Sequence, residues 1–151
     1  MNNYDCTKDV NIHVGYVKHF IGKIVLGLVK RSSEHDASKL QEPEKSMFDE
    51  FTPRLKETVF GSDEYKAALV DMGEALKHHY ASNRHHPEHF ENGINGMNLV
   101  DLVEMVCDWN AAAFLKGQEV NIDYLAERFG ISDQLKEIIA NTLKTLEGGE
   151  R

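Results

Sequence analysis

The sequence predicts an all-α chain folded as one domain over residues 1–151, and three observations carry that reading. Apolar residues recur at three- and four-residue spacing along most of the chain, as the buried stripe of an amphipathic helix requires. Runs alternating apolar and polar residues, the mark of a half-buried strand, are nearly missing. Capping residues, prolines and glycines fall at the ends of the periodic stretches and divide them into about six helices. At 151 residues the chain is long enough to bury an apolar core without disulfides or a structural metal, which leaves any bound metal available for function.

The first helix is built on Val10, His13, Val14, Val17, Ile21, Ile24, Val25 and Leu28 and is expected to end near Arg31. Ser33 then reads as the N-cap of a short second helix. Pro43 and Pro53 punctuate the next stretch. Gly61-Ser62-Asp63 starts a long helix running through Leu69, Met72, Leu76 and His79. The segment Asn83 to Asn98, rich in Asn, Gly and His, reads as a loop, and its turns Asn92-Gly93 and Asn95-Gly96 would let it close over a pocket. Helices follow from Leu99 to about Leu115 and from Asp123 to about Phe129. A last one runs from Ser132 to Leu146 on Leu135, Ile138, Ile139, Thr142 and Leu146, before a frayed tail from Glu147 to Arg151.

Charge and cysteine content narrow the function classes. The 17 basic and 25 acidic residues give a net charge of −8. With no basic run longer than Lys30-Arg31, this argues against nucleic-acid polymer as a partner but allows a small nucleotide held by metal ions. Cys6 and Cys107 are too few for a disulfide framework and lack metal-finger spacing, so a reducing cytoplasm is the expected location. No apolar stretch reaches the roughly 20 residues a membrane span requires, and Met1 to Asp9 is too polar for a signal peptide, so no membrane partner is expected.

The chemistry concentrates in histidines and carboxylates. His35 and Asp36 are adjacent, His13 precedes them, and five of the eight histidines lie between His78 and His89. A divalent ion needs several deprotonated N and O ligands converging from distant parts of a fold, and this set offers them. Each has a structural competitor. His13 lies on an apolar stripe where a core histidine suffices, His19 sits among lysines as a surface residue, and Asp36 could be the N3 acid of a capping box begun by Ser33. Asp101 has a capping role open to it with Asn98. Asp108 has none, since it stands mid-helix on an apolar face where a carboxylate is costly unless paired or metal-bound. Helical phase turns His79 inward with Met72, Leu76 and Asn83, and His78 outward. Glu104, one turn before Asp108, is a candidate general base or partner of a ligand. Lys39, Arg84 and Asn83 are candidates for phosphate binding.

The order His13, then His35-Asp36-Ala37-Ser38-Lys39, then a distant Asp108 resembles the HD superfamily of metal-dependent phosphohydrolases. Met105-Val106-Cys107-Asp108-Trp109 is similar to the late helix that carries their last metal Asp. His85-His86-Pro87-Glu88 resembles the His-His-Glu element of two-metal HD phosphodiesterases, although the Gly-Tyr-Pro signature of one such branch is missing. The stretch from His78 to Trp109 also resembles uncharacterised, often phage-encoded proteins. The resemblance implies an HD-type helical domain and hydrolysis of a phosphate ester in a nucleotide or related small molecule. One or two divalent ions (Mn, Fe, Co, Ni, Zn or Mg) would be held by His13, His35, Asp36 and Asp108, with His79, His85 and His86 completing a second position. Such an ion lowers the pKa of water so that hydroxide can attack phosphorus, while Lys39 and Arg84 neutralise the phosphate. Spacing alone points to a metal cluster; phosphate enters only through the resemblance. HD-like di-iron oxygenases share the scaffold and are the alternative chemistry, and a phage protein that sequesters a nucleotide or metal without catalysis is the alternative class. A homo-oligomer is left open. Tyr124 to Ser132 has the cadence of a DNA-binding helix-turn-helix, but two packed helices joined by Gly130 account for it, and Trp109 reads as a core aromatic.

Overall fold

The computed structural model describes residues 4–59 and 61–147, and every regular element among them is helical. The α-helices are α1 (Thr7–Glu34), α2 (Glu44–Glu57), α3 (Asp63–Ser82), α4 (Leu99–Leu115), α5 (Ile122–Phe129) and α6 (Asp133–Glu147). Short 3₁₀ turns span Ala37–Leu40, Pro87–His89 and Gly93–Gly96. The all-α prediction is borne out. The tail expected to fray lies, beyond Glu147, outside the described residues. The chain forms two compact units, Met1–Glu34 and His35–Arg151.

The first unit is α1. Asp5 accepts hydrogen bonds from the Thr7 backbone N–H and hydroxyl at 3.0 and 2.6 Å, satisfying a donor at the helix start. The helix runs three residues past Arg31, because Ser33 is not a cap: its hydroxyl donates back to the Lys30 carbonyl at 2.8 Å, within the helix. An 18-residue window of the segment Thr7–Leu40 has a mean hydropathy of 1.3, so this helix is long and apolar enough to cross a membrane by length and composition. That corrects the expectation that no stretch qualifies. Lys18 and Lys23 interrupt the apolar run, yet the average still stands at 1.3.

In the second unit, side-chain caps set several boundaries. Ser62 accepts from the Tyr65 N–H at the start of α3, and Asn121 from the Tyr124 N–H at the start of α5. Asn98 and Asp101 form a full capping box on α4, as the spacing predicts. Gly130, at φ 64°, ends α5 in the left-handed conformation that glycine adopts without a Cβ penalty. A second positive-φ glycine, Gly73 at φ 41°, breaks helical geometry inside α3. The stretch punctuated by Pro43 and Pro53 is α2, with Pro43 at its N-cap and Pro53 within it.

Two apolar clusters result. Phe51 of α2 packs with Ala68 and Met72 of α3. Met105, Val106 and Trp109 of α4 pack with Leu125, Ile131, Ile139 and Leu143 from α5, α6 and the turn between them. Trp109 is the expected core aromatic and stacks on Phe129 with ring centroids 5.8 Å apart. Lys116, just after α4, donates to the Leu55 and Thr58 carbonyls, giving the C-terminus of α2 the cationic partner its orphan carbonyls favour. Gly130 and Ser132 join α5 to α6 in the packed pair read from the sequence.

Candidate metal centre

Five segments of the second unit meet at the histidines. His35 and Asp36 lie between α1 and the first 3₁₀ turn, Glu44 opens α2, and His79 and Asn83 close α3. His85 and His86 follow in the loop, and Glu104 and Asp108 project from α4. Asp36 is the one described non-glycine residue at positive φ, 56°, and its side chain makes no cap hydrogen bond. Asp36 thus precedes the turn without capping it through its side chain, and it is not the N3 acid of a box begun by Ser33. Its left-handed backbone is a strained conformation of the kind that clusters at functional sites.

Two groups of ligand-type atoms converge: Asp36, His79, His85 and His86 in one, and His35, His85 and Asp108 in the other. Asp36 Oδ1 lies 3.4 Å from His79 Nε2 and 3.5 Å from His85 Nε2, and His79 Nε2 lies 2.9 Å from His86 Nε2. On the other side, His35 Nε2 is 3.5 Å from Asp108 Oδ1 and 3.6 Å from Asp36 Oδ2. Atoms bound to one ion at about 2.1 Å stand roughly 3.0–3.5 Å apart, so these separations fit metal ligation.

The carboxylates beside the outward nitrogens favour lone pairs on the inward ones. His79 Nδ1 faces Glu44 Oε2 at 2.8 Å, and His35 Nδ1 faces Glu104 Oε1 at 3.0 Å. His85 Nδ1 shares that Glu104 oxygen at 3.3 Å. A carboxylate can only accept, so each Nδ1 carries the proton when the ring is neutral, and each Nε2 presents its lone pair to the centre. Asp36 Oδ1 and His85 Nε2 are buried without a hydrogen-bond partner. A carboxylate oxygen and an imidazole lone pair facing each other at that distance repel unless a cation joins them.

Protonation agrees with this geometry. Burial pushes His79 and His85 below the ordinary imidazole value, and it drives His86 to about 2 with help from the two neighbouring rings. Burial alone would raise Asp36 and Asp108, but Lys39 beside Asp36 and the His35 hydrogen bond to Asp108 outweigh it and hold both below the usual carboxylate range. The hydrogen bonds from His78, His79 and Ser38 do the same for fully buried Glu44. His35 is the exception: Asp108, Glu104 and Asp36 raise it to about 9 against its burial. A His35 that ligates an ion must lose that proton, and the carboxylates Asp36, Glu44, Glu104 and Asp108 then outnumber the nearby cation Lys39. A divalent cation is the natural complement.

The residues expected to join the site divide. His35, Asp36, His79, His85, His86 and Asp108 come together, but Asp36 groups with the downstream histidines while His35 pairs with Asp108. His13 sits exposed on α1, in the first unit, and is in neither group. Glu104, expected as a base, points its carboxylate at the Nδ1 atoms of two rings and positions them. Arg84, expected to bind phosphate, makes a bidentate bond to buried Asp101 at 3.1 and 2.9 Å and lies over the Phe90 ring. Asn83, also expected to meet substrate, is buried and donates to the His79 carbonyl and the Ser38 hydroxyl, which fixes the end of α3. Lys39, expected to bind phosphate, lies beside the cluster with Nζ 2.5 Å from Asp36 Oδ2 and 4.8 Å from the centre of the Phe48 ring. His78 and His89 stand outside the groups, bonded to Glu44 and to the Tyr80 carbonyl.

Sequence reasoning missed Glu44 and Ser38. Glu44 follows a proline at a helix start, where an acid is unremarkable, and only the fold shows that it serves two histidines. Neither a curated protein nor a solved structure matches the chain. Residues 2–145 match the model of a family of unknown function, DUF5662, and the chain belongs to that family.

Proposed function

We propose that this chain is a metal-dependent phosphohydrolase that binds one or two divalent ions among its histidines and carboxylates and cleaves a small phosphate ester. The observation that carries the metal half is the convergence of Asp36 Oδ1, His79 Nε2 and His85 Nε2, with Asp36 Oδ1 and His85 Nε2 buried and otherwise without partners. The phosphate half rests on the resemblance of His35-Asp36-Ala37-Ser38-Lys39 to the HD superfamily and on Lys39, a cation beside the ligands. A bound divalent ion supplies Lewis acidity and lowers the pKa of water. The chain's own residues do the rest. Glu44 and Glu104 hold the rings in the ligating tautomer, Asn83 anchors the segment carrying His79, and Lys39 offsets charge on the phosphoryl oxygens. In the reaction a water oxygen bonds to phosphorus, the ester P–O bond breaks, and the alcohol leaves with a proton.

The test is metal analysis of purified protein joined to a phosphate-release screen with added Mn²⁺, Co²⁺, Ni²⁺ or Mg²⁺. Wild type is expected to retain metal and release phosphate. Asp36→Ala should lose both with its helical circular dichroism intact, and an Asp36→Ala protein that keeps its full metal complement would overturn the reading. Nucleotide binding without turnover would favour the sequestering alternative.

A further inference from the structure

A cavity of about 190 Å³ adjoins the cluster, walled on one side by Lys39, His79, His86 and Asp108. Its other walls are mostly apolar, with Phe48, Leu69, Met72, Trp109 and Phe129 from α2 to α5. Clefts that enclose whole drug-sized ligands run to about 300–1,000 Å³. A cavity of about 150 Å³ is filled by a single benzene ring. The volume therefore suits one ring and falls short of a nucleoside.

The charged side chains on these walls, Lys39, Asp108 and Arg128, are each paired within the chain, Asp108 with His35 at 3.5 Å. Lys39 pairs with Asp36 and lies over Phe48. Arg128 bonds Glu88 at 2.9 Å and lies over the Phe129 ring. Tyr65 is held neutral, its hydroxyl raised by burial to about 12. A charged or strongly polar group would enter the cavity without an unmet partner, whereas an apolar one replaces water against aromatic and aliphatic carbon.

We infer that this cavity takes the alcohol portion of the substrate, a neutral aryl or compact branched alkyl group of about one ring, with its phosphate presented to the wall of His79, His86 and Asp108. The inference rests on the phosphohydrolase reading and narrows it from nucleotides to small apolar phosphomonoesters.

The experiment is calorimetry on the full-length, metal-loaded protein with three probes: methylphosphonate, phenylphosphonate and adenosine monophosphate. Phenylphosphonate should bind about 10- to 100-fold more tightly than methylphosphonate, the factor that burying one ring supplies. It should also bind more tightly than the nucleotide. Ala112 and Leu69 line the cavity, and Ala112→Phe or Leu69→Phe, from two different helices, should fill it and collapse the phenyl advantage while metal content stays at the wild-type level. Circular dichroism identifies which of the two has folded. Equal binding of methyl and phenyl probes would overturn the inference and leave the phosphate reading standing. So would a nucleotide that binds as tightly as phenylphosphonate in wild type and in both filled variants. If none of the three probes binds the loaded protein, the phosphate reading fails and the inference falls with it.

Discussion

Single carboxylates decide what each ring presents to the centre. Glu44 serves His78 and His79, and Glu104 serves His35 and His85. Glu104→Gln keeps the size of the side chain but removes the charge that favours an Nδ1 proton on two rings. We expect it to weaken metal binding by about 10–100-fold, as outer partners of ligating histidines do, with little change in fold. Titration against a chromophoric chelator reads this directly, and unchanged affinity would remove Glu104 from the centre. These outer partners were not legible in the sequence, because Glu104 lies 69 positions from His35 and Glu44 lies 35 from His79. Most of the converging residues were legible, His13 excepted. A carboxylate on an apolar helix face, such as Asp108, is costly unless it is paired or bound to metal, and histidines as dense as those from His78 to His89 are rare in an ordinary loop.

Protonation at the same residues gives the metal-free protein a characteristic pH profile. His35 has a folded value of about 9 against an ordinary 6.5, so its contribution is complete below about 6.5 and is lost as pH rises through about 9. His86 runs the other way. Its folded value of about 2 means that the unfolded chain takes up a proton first, so stability falls as pH drops from 6.5 towards about 2. Thermal melts of the chelator-treated protein should therefore peak near neutrality. In His35→Gln the alkaline fall between about pH 7 and 9 should flatten while the acid fall remains.

At the scale of elements, boundaries marked by side-chain caps were readable and those marked by context were not. Leu99 to Leu115 was legible because Asn98 and Asp101 close a local capping box. The end of α1 and the existence of α2 were not, since Ser33 bonds backwards rather than forwards and Pro53 is accommodated inside a helix. Stability at this scale lies in the packing of α4 to α6. Leu125, 2 % exposed, joins these helices, and Leu125→Ala should cost about 2–5 kcal/mol by denaturant unfolding. Asn98→Ala, which removes one cap, should cost only about 1 kcal/mol. The reverse ranking would mean that α4 is held by its end rather than by its face.

For the whole molecule, a net charge of −8 and an all-α scaffold are compatible with either hydrolytic or oxidative chemistry at a histidine-rich centre. Hydrolysis needs Lewis acidity alone, so phosphate release should persist under strict anaerobiosis and survive replacement of iron by redox-silent Mg²⁺ or by Mn²⁺. Oxygen consumption with a mixed-valent iron signal, and no phosphate release, would select the oxygenase instead.

His85 belongs to both ligand groups, yet its Nδ1 is turned to Glu104 and only Nε2 faces inward. One lone pair cannot serve two ions. Whichever ion holds it leaves the other a ligand short, so in the proposed centre the two positions compete for a shared donor and their affinities are unequal by construction. Loading would then proceed in two separated steps, one tight and one weak. At limiting metal the protein would be a one-ion species, and the supply of metal in its surroundings would decide how often the second position is filled.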